Sequence, residues 1–230
     1  MENYYRLFEK QLEDIRKKIE KGGKKPSLLL QACCCPCSSH CLEVLEGYFD
    51  ISVYFYNPNI DERQEYDKRL DELKRFTKEA DFALNVKVIE GDYEPELFYE
   101  MAKGRENLPE RGERCYDCYK LRLRKTAEYA KAHGFDYFST TLSISPYKNA
   151  EWLNEIGIEL EKELREEAVK NGCLDGDETP VFLYSDFKKK NGYKRSIELS
   201  EEYGLYRQDY CGCVFSKRDR DVKKSQSEKN

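Results

Sequence analysis

Histidine is almost missing: the 230-residue chain holds two, His40 and His133. So few imidazoles leave little basis for a histidine acid–base pair or a nucleophile triad. Long hydrophobic runs are missing as well. Stretches such as Leu28-Leu29-Leu30 and Val86-Lys87-Val88-Ile89 fall far short of the roughly 20 residues a membrane span needs. Met1 to Lys25 shows no apolar segment of the secretory kind. The expectation is a cytoplasmic protein with no membrane partner. There is no basic excess either, since 40 Lys plus Arg stand against 45 Asp plus Glu for a net charge of −5. Any nucleic-acid binding therefore requires a local basic surface rather than a basic chain.

What the chain does contain is cysteine, ten of them, within a composition that is 39% hydrophobic and 13% aromatic. That apolar share suffices for a core without disulfide help and excludes a wholly disordered chain. A reducing cytosol directs ten thiols toward metal ligation or redox work rather than disulfides. The 37% charged content with only two methionines is the pattern of a heat-loving source, where intracellular disulfides also occur.

Periodicity lays out the elements. Leu7, Phe8, Leu12, Ile15 and Ile19 predict an amphipathic helix over 3–21, closed by Gly22-Gly23. Ser27 to Ala32 is a short continuous apolar run of the buried parallel-strand kind, leading straight into Cys33-Cys34-Cys35-Pro36-Cys37 and a helix through Leu42, Val44 and Leu45. Further strands are predicted at 51–56, 86–89 and 136–140, and helices at 64–80, 95–106, 115–133, 149–170 and about 194–203. Strand–helix alternation predicts an α/β fold, an open parallel sheet flanked by helices with a helical C-terminal part. Chemistry in such sheets gathers at the carboxyl ends of strands, where the tricysteine lies. Residues 1–215 read as one catalytic domain. Residues 216–230 hold six Lys or Arg, three Asp or Glu and one large apolar side chain, Val222, and read as a frayed, charged tail.

The cysteines fall into groups: Cys33-Cys34-Cys35 with Cys37 and Cys41, then Cys115-Tyr116-Asp117-Cys118, then Cys211-Gly212-Cys213, with Cys173 alone. The Cys-x-x-Cys opens a predicted helix, where backbone N–H groups stabilise thiolates. Gly212 permits a tight turn that faces Cys211 and Cys213 to one site. A structural zinc or a [4Fe–4S] cluster takes at most four thiolates, and these groups offer at least six. The alternatives are a zinc site with idle cysteines, or a cluster plus a second metal with open positions. Cys35, Cys41 and Cys173 read as small buried hydrophobes.

Several stretches read together resemble the cobalamin-independent epoxyqueuosine reductases, the QueH family. They are Leu28 to Ser38, Tyr56-Asn57-Pro58-Asn59-Ile60, Arg114 to Tyr119 with Leu121-Arg122-Leu123, Thr140 to Ser143 with Ser145-Pro146-Tyr147-Lys148-Asn149, Asp186-Phe187-Lys188-Lys189, and Leu205 to Cys213. The resemblance runs from about residue 26 to 216. It implies a Rossmann-like sheet related to the adenine-nucleotide alpha-hydrolase type. It also implies an iron–sulfur enzyme that reduces the epoxide of epoxyqueuosine at the wobble position of a tRNA to queuosine, with an external low-potential electron donor. Carried over residue by residue, the metal ligands fall on Cys33, Cys34, Cys115, Cys118, Cys211 and Cys213, with Cys37 in addition. Strand alternation instead points Cys33 and Cys35 the same way; the resemblance favours Cys33 and Cys34 because the strand is already ending there. The expected cofactors are a [4Fe–4S] cluster and a second metal ion, iron, for which Asp117 and Asp209 are carboxylate candidates by adjacency alone.

For the RNA, two basic stretches are expected to face the nucleic acid: Lys120, Arg122, Arg124 and Lys125, and Lys188-Lys189-Lys190 with Lys194 and Arg195. Tyr147, Tyr193, Tyr206 and Tyr210 are the aromatic side chains for stacking on a splayed base. Two rivals stand against this reading. An ATP-dependent, iron–sulfur tRNA-thiolating enzyme needs a glycine-rich phosphate loop after the first strand, and cysteines occupy that place. A zinc-stapled, non-catalytic RNA-binding module predicts colourless protein with stoichiometric zinc.

Overall fold

The computed structural model describes residues 3–172 and 179–227. Its centre is a five-stranded sheet made of β1 (Ser27–Gln31), β2 (Asp50–Phe55), β3 (Lys87–Glu90), β4 (Tyr137–Thr140) and β5 (Val181–Phe182). Every strand pair is parallel and the order is β3-β2-β1-β4-β5. The four predicted strands are present and none is hairpin-linked to the next; β5 adds an edge. The order reverses between β1 and β4, so the loops leaving these two strands open onto a crevice at the switch point.

Helices cover both faces. They are α1 (Tyr4–Glu20), α2 (Cys35–Leu45), α3 (Arg63–Glu79), α4 (Pro95–Ala102), α5 (Glu113–Ala132), α6 (Ala150–Lys170), α7 (Gly192–Glu202) and α8 (Val214–Ser227). β1 shows why the sheet needs two covered faces. Leu28 and Leu30 pack with Phe8, Leu12, Leu42 and Leu73 from α1, α2 and α3, whereas Leu29 packs with Leu123, Ala127, Leu153 and Ile156 from α5 and α6. All three leucines are fully buried, the reason a period-2 strand reads as an unbroken apolar run. Among the described residues no helix is long and apolar enough to cross a membrane.

Three differences from the sequence reading matter for the site. The tail is not frayed over its described part: residues 214–227 are helical, and α8 is tied down by ion pairs from Arg220 and Lys224 to Asp209 and from Lys217 to Glu62. The helix expected over 95–106 stops at Ala102, with Gly104 at φ +77°. In the basic run on α5, Lys120 pairs with Glu159 of α6 at 2.9 Å and Arg124 with Glu163 at 2.7 Å, and further along the same helix Lys131 pairs with Glu167 at 2.8 Å. Lys125 meets Glu94 at 3.4 Å. These cations stitch elements together instead of lining a groove.

Close helix–sheet approach is visible at Gly157 on α6, where an added Cβ would sit 2.3 Å from the buried Phe182 ring of β5. Gly157→Ala is therefore expected to destabilise the protein by about 1–3 kcal/mol through overpacking, read from the denaturant midpoint. A change under about 0.5 kcal/mol would mean the Phe182 ring moves aside freely.

Candidate metal centre and substrate cavity

β1 ends at Gln31, two residues before the first cysteine. Strand alternation is thus already lost, and the chain turns through Cys34, which is extended at φ −168° and stands as the N-cap of α2, with Pro36 in the first turn. Cys35 then points into the apolar core beside α2, fully buried. Cys33, Cys34 and Cys37 remain on the other side, their sulfurs all within 4.8 Å of one another. This settles the orientation in favour of Cys33 with Cys34. Cys41, one turn on, is also buried in the core, with its thiol on the Cys37 carbonyl at 3.2 Å. Cys173 lies outside the described residues.

The second group sits at the start of α5, as the sequence implied, with Cys115 in the first turn and Cys118 in the second, and the N–H of Arg111 donates to the Cys115 sulfur at 3.3 Å. In the third, Cys211 and Cys213 bring their sulfurs to 3.6 Å. Gly212 between them has φ +112°, and a Cβ there would meet Ile60 at 2.7 Å. Cys118, Cys211 and Cys213 share one small apolar cluster with Phe98 and Phe215. The two flanking groups are thus neighbours: burial first, and the Cys211 charge after it, push both Cys115 and Cys118 up.

Electrostatics single out one thiol in each tight set. Cys33 is held well below the ordinary thiol range by hydrogen bonds from Cys34 and Cys37, which overcome its burial with help from Arg122 and Arg69. Its donor Cys34 is pushed up to about 12 by that same bond. Cys211 is likewise held far down, first by the Cys213 thiol and then by the charges of Lys148 and Arg122. Burial pushes Cys118 up to about 11. Two cations serve these groups. Arg122 is buried, and the charges of Cys118, Cys33 and Cys211 hold its proton against the cost of burial. Lys148 is half-buried and raised in the same way by Cys211 and Tyr119.

Cys33, Cys37 and Cys211 line one cavity of about 570 Å³ at the carboxyl end of the sheet, together with Arg122 and Lys148. That volume is of the size small-molecule sites usually have. Beneath it, a buried network fixes the floor. Thr140 donates to Gln31 at 2.8 Å, Gln31 donates to the Asn57 side chain at 3.1 Å, and Asn57 donates to the Ala32 carbonyl at 2.8 Å. Arg122 reaches Asn57 at 3.5 Å and the Cys118 carbonyl at 3.4 Å. Three strand ends and α5 are thereby locked in one frame around the thiols.

The carboxylate candidates fare differently. Asp117 is not on the cavity wall; it pairs with Arg105 in a separate depression that includes Trp152. Two residues from Cys115 is about 200° around a helix, so adjacency in sequence pointed the wrong way. Asp209 does line the cavity, but Arg220 and Lys224 hold it at 2.7 and 2.6 Å and depress its carboxyl to about 2, with Lys224 the larger cause.

Nor are the expected RNA-facing lysines on this wall. Lys188 pairs with Asp186, Lys190 with Glu9, Lys194 with Glu198 and Arg195 with Glu43; Lys189 is exposed outside the cavity. Arg122 is a buried cation that reaches the cavity wall. Tyr147, Tyr193 and Tyr210 line the cavity, whereas Tyr206 is off it, with Lys68 over its ring. The residues missed in the sequence are Lys148, Arg111, Arg207, Arg220, Lys223 and Lys224, all on the wall. Arg122 had a signal as a site residue, since it follows Cys115 and Cys118 at i+7 and i+4 on one face of α5.

The family described as "Epoxyqueuosine reductase QueH" matches residues 28–219. Curated relatives of that name include one from Streptococcus pyogenes, 41% identical and covering 91% of this chain and 77% of its own length. Another, from Staphylococcus epidermidis, is 40% identical over 94% of this chain and 87% of its own. A third, from Thermotoga maritima, is 34% identical over 84% and 92%. Among solved structures, the U34-tRNA thiolase NcsA from Methanococcus maripaludis, determined with its [4Fe-4S] cluster, is a distant likeness at 13% identity and TM-score 0.47, covering 97% of this chain and 75% of that one. With the family pattern spanning both the tricysteine and the Cys211-Gly212-Cys213 turn, the chain belongs to the epoxyqueuosine reductase QueH family.

Proposed function

We propose that this chain reduces the epoxide of epoxyqueuosine in tRNA to the alkene of queuosine. The observation that carries the reading, beyond family membership, is the convergence of cysteines from three distant stretches beside one cavity that also holds the buried Arg122 and the half-buried Lys148. The donor set fits iron–sulfur: three sulfurs within 4.8 Å in one set, two at 3.6 Å in another, and soft thiolates throughout. Cys33, Cys34, Cys37, Cys115, Cys118, Cys211 and Cys213 would hold the metal, and because they outnumber the ligands of one cluster, a [4Fe–4S] cluster with a second iron accounts for them best. Bound there, the metal centre supplies single electrons and Lewis acidity toward oxygen.

The reaction breaks both C–O bonds of the epoxide, takes up two electrons and two protons, and releases the oxygen as water. The electrons come from an external low-potential donor. Lys148 Nζ holds a proton on the cavity wall, and Arg122 keeps a fixed positive charge against the thiolates. The tight frame around Gln31, Asn57 and Thr140 excludes water from beneath the centre.

Anaerobic purification followed by iron, sulfide and zinc analysis and by assay on epoxyqueuosine tRNA tests this. The expected protein is brown, contains iron and sulfide, and converts the substrate when given a strong reductant. Colourless protein with stoichiometric zinc, or iron-loaded protein that leaves the substrate unchanged, would refute the proposal.

A further inference from the structure

Every tyrosine on the cavity wall carries an arginine at its ring. The Arg111 guanidinium lies 5.0 Å from the centre of Tyr147, Arg207 lies 5.8 Å from Tyr193, and Arg220 lies 4.7 Å from Tyr210. All six side chains face the cavity, yet they come from the loop before α5, the loop after β4, α7, the Cys211 approach and α8. The wall as a whole has seven Lys or Arg against three carboxylates, on a chain whose net charge is −5.

That pairing has a chemical meaning. Isolated phosphate calls for cations, and an isolated base calls for rings; an unpaired nucleotide presents a base face and a phosphate close together. A guanidinium covers at most one face of a tyrosine, which at Tyr147 and Tyr193 leaves the other for a base; at Tyr210 Arg69 also stands 5.4 Å from the ring centre, and the Arg220 N–H edge meets Asp209 and Asp221, which a phosphate would displace. A duplex keeps its bases stacked internally and has no use for the rings. Asp209 sits between Arg220 and Lys224 as a carboxylate in the place a phosphate oxygen would take.

We infer that Arg111–Tyr147, Arg207–Tyr193 and Arg220–Tyr210 form a docking ring for the unpaired nucleotides that flank the one entering the cavity. In each pair the tyrosine takes a base and the arginine the adjoining phosphate. This rests on the reading of the chain as a tRNA-modifying reductase and names the surface that holds its substrate. It also moves the RNA-facing surface from 188–195 to the loops and α8 around the cavity.

The test measures fluorescence anisotropy of a labelled anticodon stem–loop RNA with guanosine at the wobble position, titrated with iron-loaded protein at several salt concentrations. A duplex of the same stem without the loop is the comparison. Tyr147→Ala, Tyr193→Ala and Tyr210→Ala are each expected to weaken stem–loop binding about tenfold and to leave duplex binding unchanged. The corresponding Phe variants keep wild-type affinity. Each of Arg111→Ala, Arg207→Ala and Arg220→Ala lowers the salt slope by about 0.7. Tyr147 is 57% exposed, so its variant tests the ring without burdening the fold. Wild-type protein that binds the duplex as tightly as the stem–loop, that binds neither, or whose affinity ignores all three alanine changes overturns the inference. Turnover of epoxyqueuosine tRNA in the same samples separates the two claims. Tyrosine-dependent binding with no wild-type turnover supports the ring and refutes the reductase; turnover with tyrosine-independent binding does the reverse.

Discussion

Alanine at Cys33, Cys34, Cys115, Cys118, Cys211 or Cys213 is expected to abolish turnover and strip iron from the protein, whereas Cys35→Ala and Cys41→Ala keep both. The contrast follows from where each thiol points. Cys34 caps α2 through its backbone, with no hydrogen bond from its side chain to the helix N–H groups, so removing its sulfur leaves the helix start intact. Cys35 and Cys41 are as deeply buried as Cys34, but they face the apolar core under α2. Losing one sulfur there costs about 1 kcal/mol of packing and no ligand. Iron per chain, visible absorbance and the unfolding midpoint, measured on the same variants, tell the classes apart. Full iron and activity in Cys34→Ala, or loss of iron in Cys35→Ala, would mean that the centre is built on the other side of the loop.

How far the sequence reaches is shown by that loop. The buried strands were legible because Leu28-Leu29-Leu30 has to satisfy two covered faces, and the cysteine groups were legible because their spacings are short. Which of three adjacent cysteines turns inward was not a matter of pattern: it depends on where β1 stops and on the extended backbone of Cys34. Strand order was equally hidden, since a helical crossover of a given length reaches either side of β1.

Charges were the least legible. Lys120, Arg124 and Lys125 read as parts of a basic run, but the carboxylates of the first two lie 39 residues later on α6 and that of Lys125 is Glu94, before α5, and only packing reveals that these charges are paired. The reverse holds at α8, whose residues 216–227 are the described part of the stretch 216–230 that read as a frayed tail. They become a cavity wall because Asp209 and Glu62, far apart in sequence, fix Arg220, Lys224 and Lys217. Asp117 lies off the cavity wall for a third reason, the rotation of a helix between neighbours.

The largest expected effect on stability is at Glu65. Arg69 is almost fully buried at 1% exposure, and Glu65 takes its Nε at 2.7 Å and its Nη2 at 2.6 Å. Arg69 in turn donates from Nη1 to the Cys211 carbonyl at 3.3 Å, which Asn59 also reaches at 3.4 Å. Glu65→Ala leaves a guanidinium buried without its carboxylate, expected to cost about 3–5 kcal/mol, a large part of an ordinary domain's 5–15 kcal/mol. Replacing both partners, Glu65→Leu with Arg69→Met, is expected to restore most of that stability, because an ion pair exchanged for apolar side chains of similar volume removes the desolvation cost along with the attraction. The double variant still lacks the anchor on the Cys211 carbonyl. It is therefore expected to unfold near the wild-type midpoint while losing iron faster to a chelator. Equal iron retention in the double variant and the wild type would show that Asn59 and the Gly212 turn hold Cys211 unaided, and that the buried pair serves the fold alone.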